Sequence, residues 1–294
     1  MASLSGIHVP LVTPFTADGA VAVDALGELA HAVLADGAAG VVALGTTAEA
    51  AALDDEERRL VVDVCARVCR DHDAVLTVGV GGGDTRAVEA ALAELARCPA
   101  VGYALVPVPS FTRPSVAGVV AHFARLARTS PVPLVVYHVP YRTGRPLDAA
   151  DLRALAAIPG VAGMKYAAGG VDEPIVDLLA DPPSGFAVLA GDDVFLSALL
   201  ALGAAGGILA SAHLATSRFG ALADAWRAGD PGTARGLGSG LARLSAALFA
   251  EPNPAVLKGV LYAQGRIPTA DVRLPLLPAG PGSVAAAVAR LTER

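Results

Sequence analysis

Lysine is almost absent from this 294-residue chain. Only two of its 22 cationic side chains are lysines, Lys165 and Lys258, and the rest are arginines. Lys165 follows a short apolar run in VAGMKY, a setting in which a buried charge is costly. An arginine would carry a charge there equally well, but it has no amine that reacts with a carbonyl group. A lysine at this position therefore points to chemistry.

Other scarcities disfavour whole classes of protein. The chain has three cysteines, Cys65, Cys69 and Cys98, an odd number without disulfide-like spacing, which predicts a reducing compartment and a cytoplasmic location. The net charge is −6 with the two signs interspersed, so we expect no nucleic-acid partner. The first residues, MASLSGIHVP, have no basic segment ahead of an apolar one, so no signal peptide is predicted.

One uncharged run, residues 194–212, is long enough to span a bilayer. It contains Gly203, Gly206 and Gly207, and it divides into a helix-like piece (195–202) and a strand-like piece (207–211). We interpret the run as a buried helix followed by a buried strand, and we expect no membrane partner.

Short apolar runs recur along the chain at fairly even spacing. Each is continuous rather than alternating, which is the pattern of strands that are covered on both faces. Segments with helical period lie between them; in residues 24–37 the side chains of Leu26, Leu29, Val33 and Leu34, with Ala30, share one face. The eight runs are 6–12, 40–47, 74–80, 101–108, 132–139, 161–166, 186–191 and 206–211.

Eight strands that alternate with helices predict an α/β fold of the closed (β/α)8, or TIM barrel, type. The eighth helix should begin near Ala215. Helical runs at 233–249, at 256–264 and from Ser283 then predict a C-terminal helical appendage. We expect residues 1–230 to form the barrel and residues 231–294 to form an extension packed on it.

Lys165 is the clearest nucleophile among the residues at the predicted strand ends, where barrel active sites form. We expect Val161, Met164 and the barrel wall to enclose it and to lower its pKa from the usual value of about 10.4. The free amine would attack a ketone, form an imine and favour an enamine, which is class I aldolase chemistry without a metal. Tyr137, at the end of the preceding strand, would shuttle protons.

Structural roles remain open for both residues. The stem of Lys165 would then be buried while its ammonium group reaches water, and Tyr137 would be a core aromatic residue with a bonded hydroxyl.

Five segments, in order along nearly the whole chain, resemble the dihydrodipicolinate synthase/N-acetylneuraminate lyase family: GTTAE (45–49), YHVPYRTG (137–144), GMKYAAG (163–169), AGDD (190–193) and EPNP (251–254). The resemblance implies that Lys165 forms a Schiff base with pyruvate or another 2-oxo acid, with Tyr137 and Thr46 as a proton relay. It also implies that Thr47 holds the pyruvate carboxylate and that Arg142 binds a carboxylate of the second substrate.

The resemblance also implies roles for three further positions of the site. Gly191 and Ile208 match backbone positions that line the imine pocket. Phe111 stands where the synthases usually carry a tyrosine from a neighbouring subunit, and it has no proton to pass. The family forms dimers and tetramers, so we expect a homodimer or a homotetramer, with no cofactor and no metal.

Together, the position of Lys165 and the family resemblance predict a lyase that condenses pyruvate with an aldehyde through a Schiff base. Arg142 favours an acceptor with a carboxylate, and aspartate semialdehyde, the acceptor in 4-hydroxy-tetrahydrodipicolinate synthase activity, is the first expectation. An aldolase or dehydratase for 2-keto-3-deoxy sugar acids stays open, as does a non-catalytic paralogue that binds a 2-oxo acid, which Phe111 motivates. A metal-dependent aldolase built on His138, Asp192 and His213 is a further, sparser alternative.

Overall fold

The computed structural model describes residues 4–292, and its eight parallel strands form a closed barrel in sequence order. Strand β8 pairs with β1 and closes the ring. Each of the eight apolar runs contains one strand, so the predicted TIM barrel is confirmed. The strands are β1 (Gly6–Pro10), β2 (Gly40–Ala43), β3 (Val75–Gly79), β4 (Val101–Pro107), β5 (Leu134–His138), β6 (Val161–Tyr166), β7 (Ala187–Ala190) and β8 (Gly206–Ile208).

Twelve α-helices lie within the described residues. Nine of them, α1 to α9, belong to the connections after the barrel strands, and α10 to α12 form the C-terminal appendage. They are α1 (Val23–Ala35), α2 (Asp55–Asp71), α3 (Thr85–Glu94), α4 (Val116–Thr129), α5 (Pro140–Thr143), α6 (Ala149–Ala156), α7 (Glu173–Ala180), α8 (Leu196–Ala201), α9 (Ala212–Arg227), α10 (Pro231–Leu248), α11 (Ala255–Ala263) and α12 (Pro281–Thr292).

Helix α1 illustrates how the apolar periodicity specifies the outer layer. Gly37, with a φ of +94°, lies just beyond its end in a conformation that favours glycine. The five residues predicted for its apolar face are all buried: Leu26, Leu29, Ala30, Val33 and Leu34. The barrel therefore gains its covering layer from the same pattern that predicted the helix.

Side chains of the strands alternate between the barrel interior and the helix layer. Tyr137 and Ile208 belong to the interior cluster, whereas Val161 and Met164 pack in the cluster that includes the helices. The expectation that Val161 and Met164 enclose Lys165 is therefore wrong. Met164 directly precedes Lys165 in β6, so its side chain points to the opposite face.

The uncharged run 194–212 divides as predicted into helix α8 and strand β8. Helix α9 begins at Ala212, three residues before the position expected for the eighth helix, and Ala215 has non-helical angles inside it. Within residues 4–292, no helix combines the length and the apolar character needed to cross a bilayer.

Candidate active site

Lys165 lies next to the end of β6, at the carboxyl edge of the barrel. It is paired in register with Tyr137 of β5 and Leu189 of β7. Lys165 is buried, with 8% of the residue exposed, and its Nζ lies 4.6 Å from the centroid of the Tyr137 ring. Because side chains alternate between the two faces of β6, the amine of Lys165 points into the barrel at its carboxyl end, where it faces the Tyr137 ring.

Burial lowers the pKa of Lys165 below its ordinary value. The charges of Asp193 and Asp192 act in the opposite direction and offset part of this effect. Because the net shift is downward, a larger fraction of the amine is unprotonated at neutral pH than in an exposed lysine.

Tyr137 and Thr46 form a hydrogen-bonded pair beside the amine. Burial raises the pKa of the Tyr137 phenol, and its hydrogen bond with Thr46 and the charge of Arg142 partly oppose that rise. Thr46 lies in the short 3-10 turn Thr46–Ala48 that follows β2, and it is more exposed than the tyrosine. A protonated phenol bonded to a hydroxyl nearer the solvent is suited to proton transfer between the pocket and water.

Thr47 belongs to the same turn, but its side chain is buried, with 4% of the residue exposed. Its Oγ1 accepts a hydrogen bond of 2.9 Å from Nδ2 of Asn253. Asn253 lies in the segment between α10 and α11, so the C-terminal appendage reaches the pocket.

Gly191 follows β7 and leaves the space that the Lys165 side chain occupies. A Cβ at this position would lie 2.8 Å from Lys165 Cγ and 2.9 Å from both Lys165 Cε and Ala167 Cβ. Ile208, at the end of β8, is 1% exposed and supplies an apolar part of the pocket wall. The two residues shape the surroundings of the lysine stem.

Arg142 lies in the short helix α5, which is separated from β5 by Val139 alone. Pro140 occupies the first helical position, where its missing N–H group costs nothing. The guanidinium carbon of Arg142 lies 5.4 Å from the centroid of the Tyr141 ring, and both side chains line the pocket with Lys165. A cation is thereby held at the outer side of the site.

Two carboxylates, Asp192 and Asp193, directly follow Gly191 and line the same pocket. Burial raises the pKa of Asp193 to about 6, and one of its oxygens accepts a 2.6 Å hydrogen bond from the Ser211 amide. Burial also raises the pKa of Asp192, which accepts a 2.7 Å hydrogen bond from the amide of Gly169. The pocket therefore holds both signs of charge.

The structure brings seven of the eight predicted site residues into one pocket at the carboxyl end of the barrel: Thr46, Thr47, Tyr137, Arg142, Lys165, Gly191 and Ile208. Phe111 is the exception. It is 98% exposed on the loop after β4, with a φ of +67°, and it does not line the pocket of its own chain.

Seven further residues complete the pocket lining: Pro10, Tyr141, Asp192, Asp193, Ala210, Phe249 and Asn253. Asp193 and Asn253 stood in motifs that were recognised in the sequence, but nothing in those motifs gave them a place in the pocket. The metal-site alternative finds no support, because no group of three or more His, Cys, Asp or Glu side chains in the described residues is arranged to hold a metal ion.

Comparison with known proteins identifies the family. A sequence model of the Dihydrodipicolinate synthetase family matches residues 3–292. The 4-hydroxy-tetrahydrodipicolinate synthase of Sorangium cellulosum is 38% identical over 299 residues, which cover 99% of this chain and 97% of that protein.

Solved structures agree with the sequence match. The chloride-inhibited dihydrodipicolinate synthase from Acinetobacter baumannii, complexed with pyruvate, has a TM-score of 0.92 at 30% identity and covers 98% of this chain and 99% of that one. A monomeric dihydrodipicolinate synthase variant has a TM-score of 0.92 at 26% identity, over 98% and 96% of the two chains. The chain therefore belongs to the Dihydrodipicolinate synthetase family.

Proposed function

We propose that this protein is a class I lyase in which the amine of Lys165 captures pyruvate as an imine and the derived enamine adds to an aldehyde. The observation that carries the proposal is the buried amine with a lowered pKa, 4.6 Å from the Tyr137 ring centroid. Family membership supports it, since the Sorangium cellulosum relative is named a 4-hydroxy-tetrahydrodipicolinate synthase and the Acinetobacter baumannii structure contains pyruvate.

Imine formation begins when the unprotonated Nζ of Lys165 attacks the keto carbon of pyruvate. The keto oxygen takes up one proton from the attacking amine and a second from a proton donor of the site, and it leaves as water. A protonated imine remains on Lys165. Its positive charge withdraws electrons from the adjacent methyl carbon, which loses a proton to give the enamine. The enamine carbon then attacks the aldehyde carbon, and the aldehyde oxygen becomes a hydroxyl by taking up a proton.

Tyr137 and Thr46 carry the protons of these steps in the proposal. The phenol is held against Lys165 by the register of β5 and β6, and its hydrogen bond to Thr46 leads toward solvent. Because burial raises the pKa of Tyr137, the phenol stays protonated at rest and is ready to donate to a leaving oxygen.

The pyruvate itself would be held by its carboxylate and its methyl group. Thr47 presents a buried hydroxyl to the pocket that Lys165 also lines, and we assign it to the carboxylate. Gly191 keeps space free at the lysine stem, and Ile208 offers an apolar surface to the methyl group.

Arg142 selects the acceptor. A guanidinium group at the outer side of the pocket suits a carboxylate on the aldehyde, and its planar fork forms paired hydrogen bonds with such a group. Aspartate semialdehyde has that carboxylate, and it also has an amine that can attack the imine carbon, displace Lys165 and close a ring. We therefore propose 4-hydroxy-tetrahydrodipicolinate synthase activity.

Asp192 favours a second candidate, an aldolase or dehydratase for 2-keto-3-deoxy sugar acids. One Asp192 oxygen is engaged by the Gly169 amide, and the carboxylate lines the pocket near Arg142. Hydroxyl groups of a sugar-derived aldehyde would donate hydrogen bonds to this carboxylate.

The proposal includes a second copy of the chain. Phe111 is almost fully exposed although it is aromatic, so a neighbouring subunit in a homodimer or homotetramer would bury it.

We also propose that residues 231–294 are an extension packed on a barrel of residues 1–230, and that the protein works in the cytoplasm. Free thiols at Cys65, Cys69 and Cys98 suit a reducing compartment.

A screen of acceptors tests the proposed function. Purified protein is incubated with pyruvate and, in separate reactions, aspartate semialdehyde or sugar-derived aldehydes, and products are followed by NMR. Rapid condensation with aspartate semialdehyde, and its loss in Arg142→Ala with little change in pyruvate capture, is the expected result. Faster reaction with a sugar-derived aldehyde would favour the second candidate, and pyruvate binding without any imine would indicate a non-catalytic 2-oxo-acid-binding protein.

A further inference from the structure

The sequence contains a single asparagine, Asn253, and its side chain reaches the candidate active site. Nδ2 of Asn253 donates a 2.9 Å hydrogen bond to Oγ1 of Thr47, a residue 206 positions earlier in the chain. Both residues line the pocket that contains Lys165. The bond therefore links the segment between α10 and α11 to the turn that follows β2.

The direction of this hydrogen bond determines what the Thr47 hydroxyl can offer to a ligand. A threonine hydroxyl has one hydrogen to donate and two lone pairs that accept. The amide NH2 group of Asn253 only donates, so it occupies a lone pair of Thr47 and leaves the hydroxyl hydrogen free. The oxygen that carries this hydrogen lies in the pocket lining, so the hydrogen is available to a carboxylate bound near Lys165.

The opposite amide orientation would have the opposite effect. The carbonyl oxygen of Asn253 would then face Thr47 and accept its only hydrogen. The pocket would be left with the lone pairs of Thr47, which repel a carboxylate. The chemistry of the site thus depends on which end of one amide group faces one hydroxyl.

A buried ion pair fixes the same two segments to each other. Nζ of Lys258, in α11, lies 2.8 Å from Oε1 of Glu49, and their side chains are 0% and 2% exposed. Glu49 comes two residues after Thr47, and Lys258 comes five residues after Asn253. This contact holds the Asn253 segment against the turn.

A third residue of the C-terminal appendage strengthens the attachment. The backbone amide of Arg273 donates a 2.7 Å hydrogen bond to Oε2 of Glu49. The Arg273 guanidinium donates a 2.8 Å bond to the carbonyl of Ala52. Since both oxygens of Glu49 are engaged by C-terminal residues, the turn has little freedom to move away from Asn253.

We propose that Asn253 is a positioning residue that fixes the Thr47 hydroxyl as a hydrogen-bond donor to the carboxylate of the 2-oxo acid held at Lys165. The proposal rests on the proposed function, because it needs a 2-oxo acid in the pocket. It gives the EPNP segment a role in substrate binding that acts through Thr47.

Two substitutions of Asn253 have different effects on its hydrogen bond with Thr47. One removes the bond, and the other replaces the donor NH2 group with an oxygen that accepts. Asn253→Ala removes the bond and lets the Thr47 hydroxyl rotate, so we expect the pyruvate concentration for half-maximal borohydride trapping to rise about fivefold. Asn253→Asp presents only acceptors, captures the Thr47 hydrogen and adds a negative charge, so we expect a rise of about a hundredfold. Gln264→Glu, an exposed change of the same charge, is the matched control and should leave trapping unchanged.

A double-mutant cycle tests whether the effect passes through Thr47. In a Thr47→Val background, Asn253→Ala should cause no further change, because the hydroxyl that it orients is absent. Asn253→Asp should lose the part of its effect that depends on the hydroxyl and keep only the part due to charge. In the wild-type background, the KM for pyruvate should rise while the KM for the aldehyde stays constant, which general damage to the fold would not produce.

The outcomes distinguish this inference from the proposed function. If wild-type protein forms no trapped adduct, the proposed function fails, and the inference fails with it. If wild-type protein forms the adduct and Asn253→Ala traps pyruvate like wild type, or has the same effect with and without the Thr47 hydroxyl, the positioning role alone is overturned. Thermal unfolding of each variant identifies any that fails to fold, and Asn253→Ser then replaces it with the same expected direction.

Discussion

The Nζ of Lys258 lies 2.8 Å from Oε1 of Glu49, and both side chains are almost completely buried. Lys165 is also buried, but the carboxylates of Asp192 and Asp193 act on it through their charge alone. The two lysines of the chain thus occupy contrasting environments. Burial lowers the pKa of both amines. Lys258 is held by a direct ionic partner, whereas the amine of Lys165 lines the pocket.

Replacing Lys258 with methionine should strongly destabilise the protein. The substitution leaves the Glu49 carboxylate buried without its ionic partner, which costs about 3–5 kcal/mol in the free energy of unfolding. Urea unfolding measures the loss. Adding Glu49→Gln to the same chain should recover part of the stability.

The exposed pair Arg97–Glu94 provides the control for this substitution, since its side chains are 76% and 59% exposed. Arg97→Met should change the free energy of unfolding by less than about 1 kcal/mol. Equal effects of Lys258→Met and Arg97→Met would show that the buried pair contributes no more than a surface one.

Tyr137→Phe should slow turnover by about a hundredfold or more, because removal of a positioned proton donor costs a factor of that size. The pyruvate adduct should still form, although more slowly, since Lys165 is retained. Steady-state kinetics and the rate of adduct formation measure the two effects. Tyr166→Phe is the control, because the Tyr166 hydroxyl donates to Asp172 away from the pocket. Wild-type turnover in Tyr137→Phe would show that the Tyr137 phenol has no role in proton transfer.

Gly191→Ala should impair adduct formation by displacing the Lys165 stem. The new methyl group would lie 2.8 Å from Lys165 Cγ, closer than unstrained packing allows. A displacement of about 1 Å is enough to reduce the rate by about a hundredfold. Gly170→Ala, whose methyl group would have no neighbour within 4 Å, is the matched control. If both variants trap pyruvate equally well, the close packing at Gly191 has no catalytic consequence.

The rate of pyruvate trapping should rise with pH and level off below the ordinary lysine pKa of 10.5, because burial lowers the pKa of Lys165 and only the free amine reacts. The Asp193 charge raises that pKa, so removing it in Asp193→Asn should move the midpoint to lower pH. The rate of borohydride trapping, measured across a series of pH values, gives the midpoint for the wild-type protein and for Asp193→Asn. A midpoint at or above 10.5, or an upward shift in Asp193→Asn, would contradict the electrostatic assignment.

The barrel and most of the pocket could be predicted from the sequence because their signals are local. Continuous apolar runs predict buried parallel strands, and the segments around Lys165, Tyr137 and Arg142 resemble a known family strongly enough to suggest each residue's place. The enclosure of Lys165 was predicted wrongly from residues close in sequence. Met164 faces the helix layer, and the pocket is instead formed by residues from other strands, such as Ile208.

The contacts made by the C-terminal appendage could not be predicted in the same way. Asn253 and Thr47 are 206 residues apart, and Lys258 and Glu49 are 209 apart. No periodicity or short motif relates positions so distant, because their contact arises only when the barrel closes and the last helices pack against it. The sequence shows that Asn253 is the one asparagine and Lys258 the second lysine, but these counts do not identify the partner of either residue.

Formation of an imine between Lys165 and a 2-oxo acid is the step on which the proposed function depends, and borohydride trapping tests it most directly. The protein is incubated with pyruvate and sodium borohydride, digested and analysed by mass spectrometry, with the Lys165→Arg variant and a reaction without pyruvate as controls. The prediction is a reduced pyruvate adduct on the peptide that contains Lys165, none on Lys258, and none in Lys165→Arg. An unmodified Lys165 after this treatment would contradict the claim.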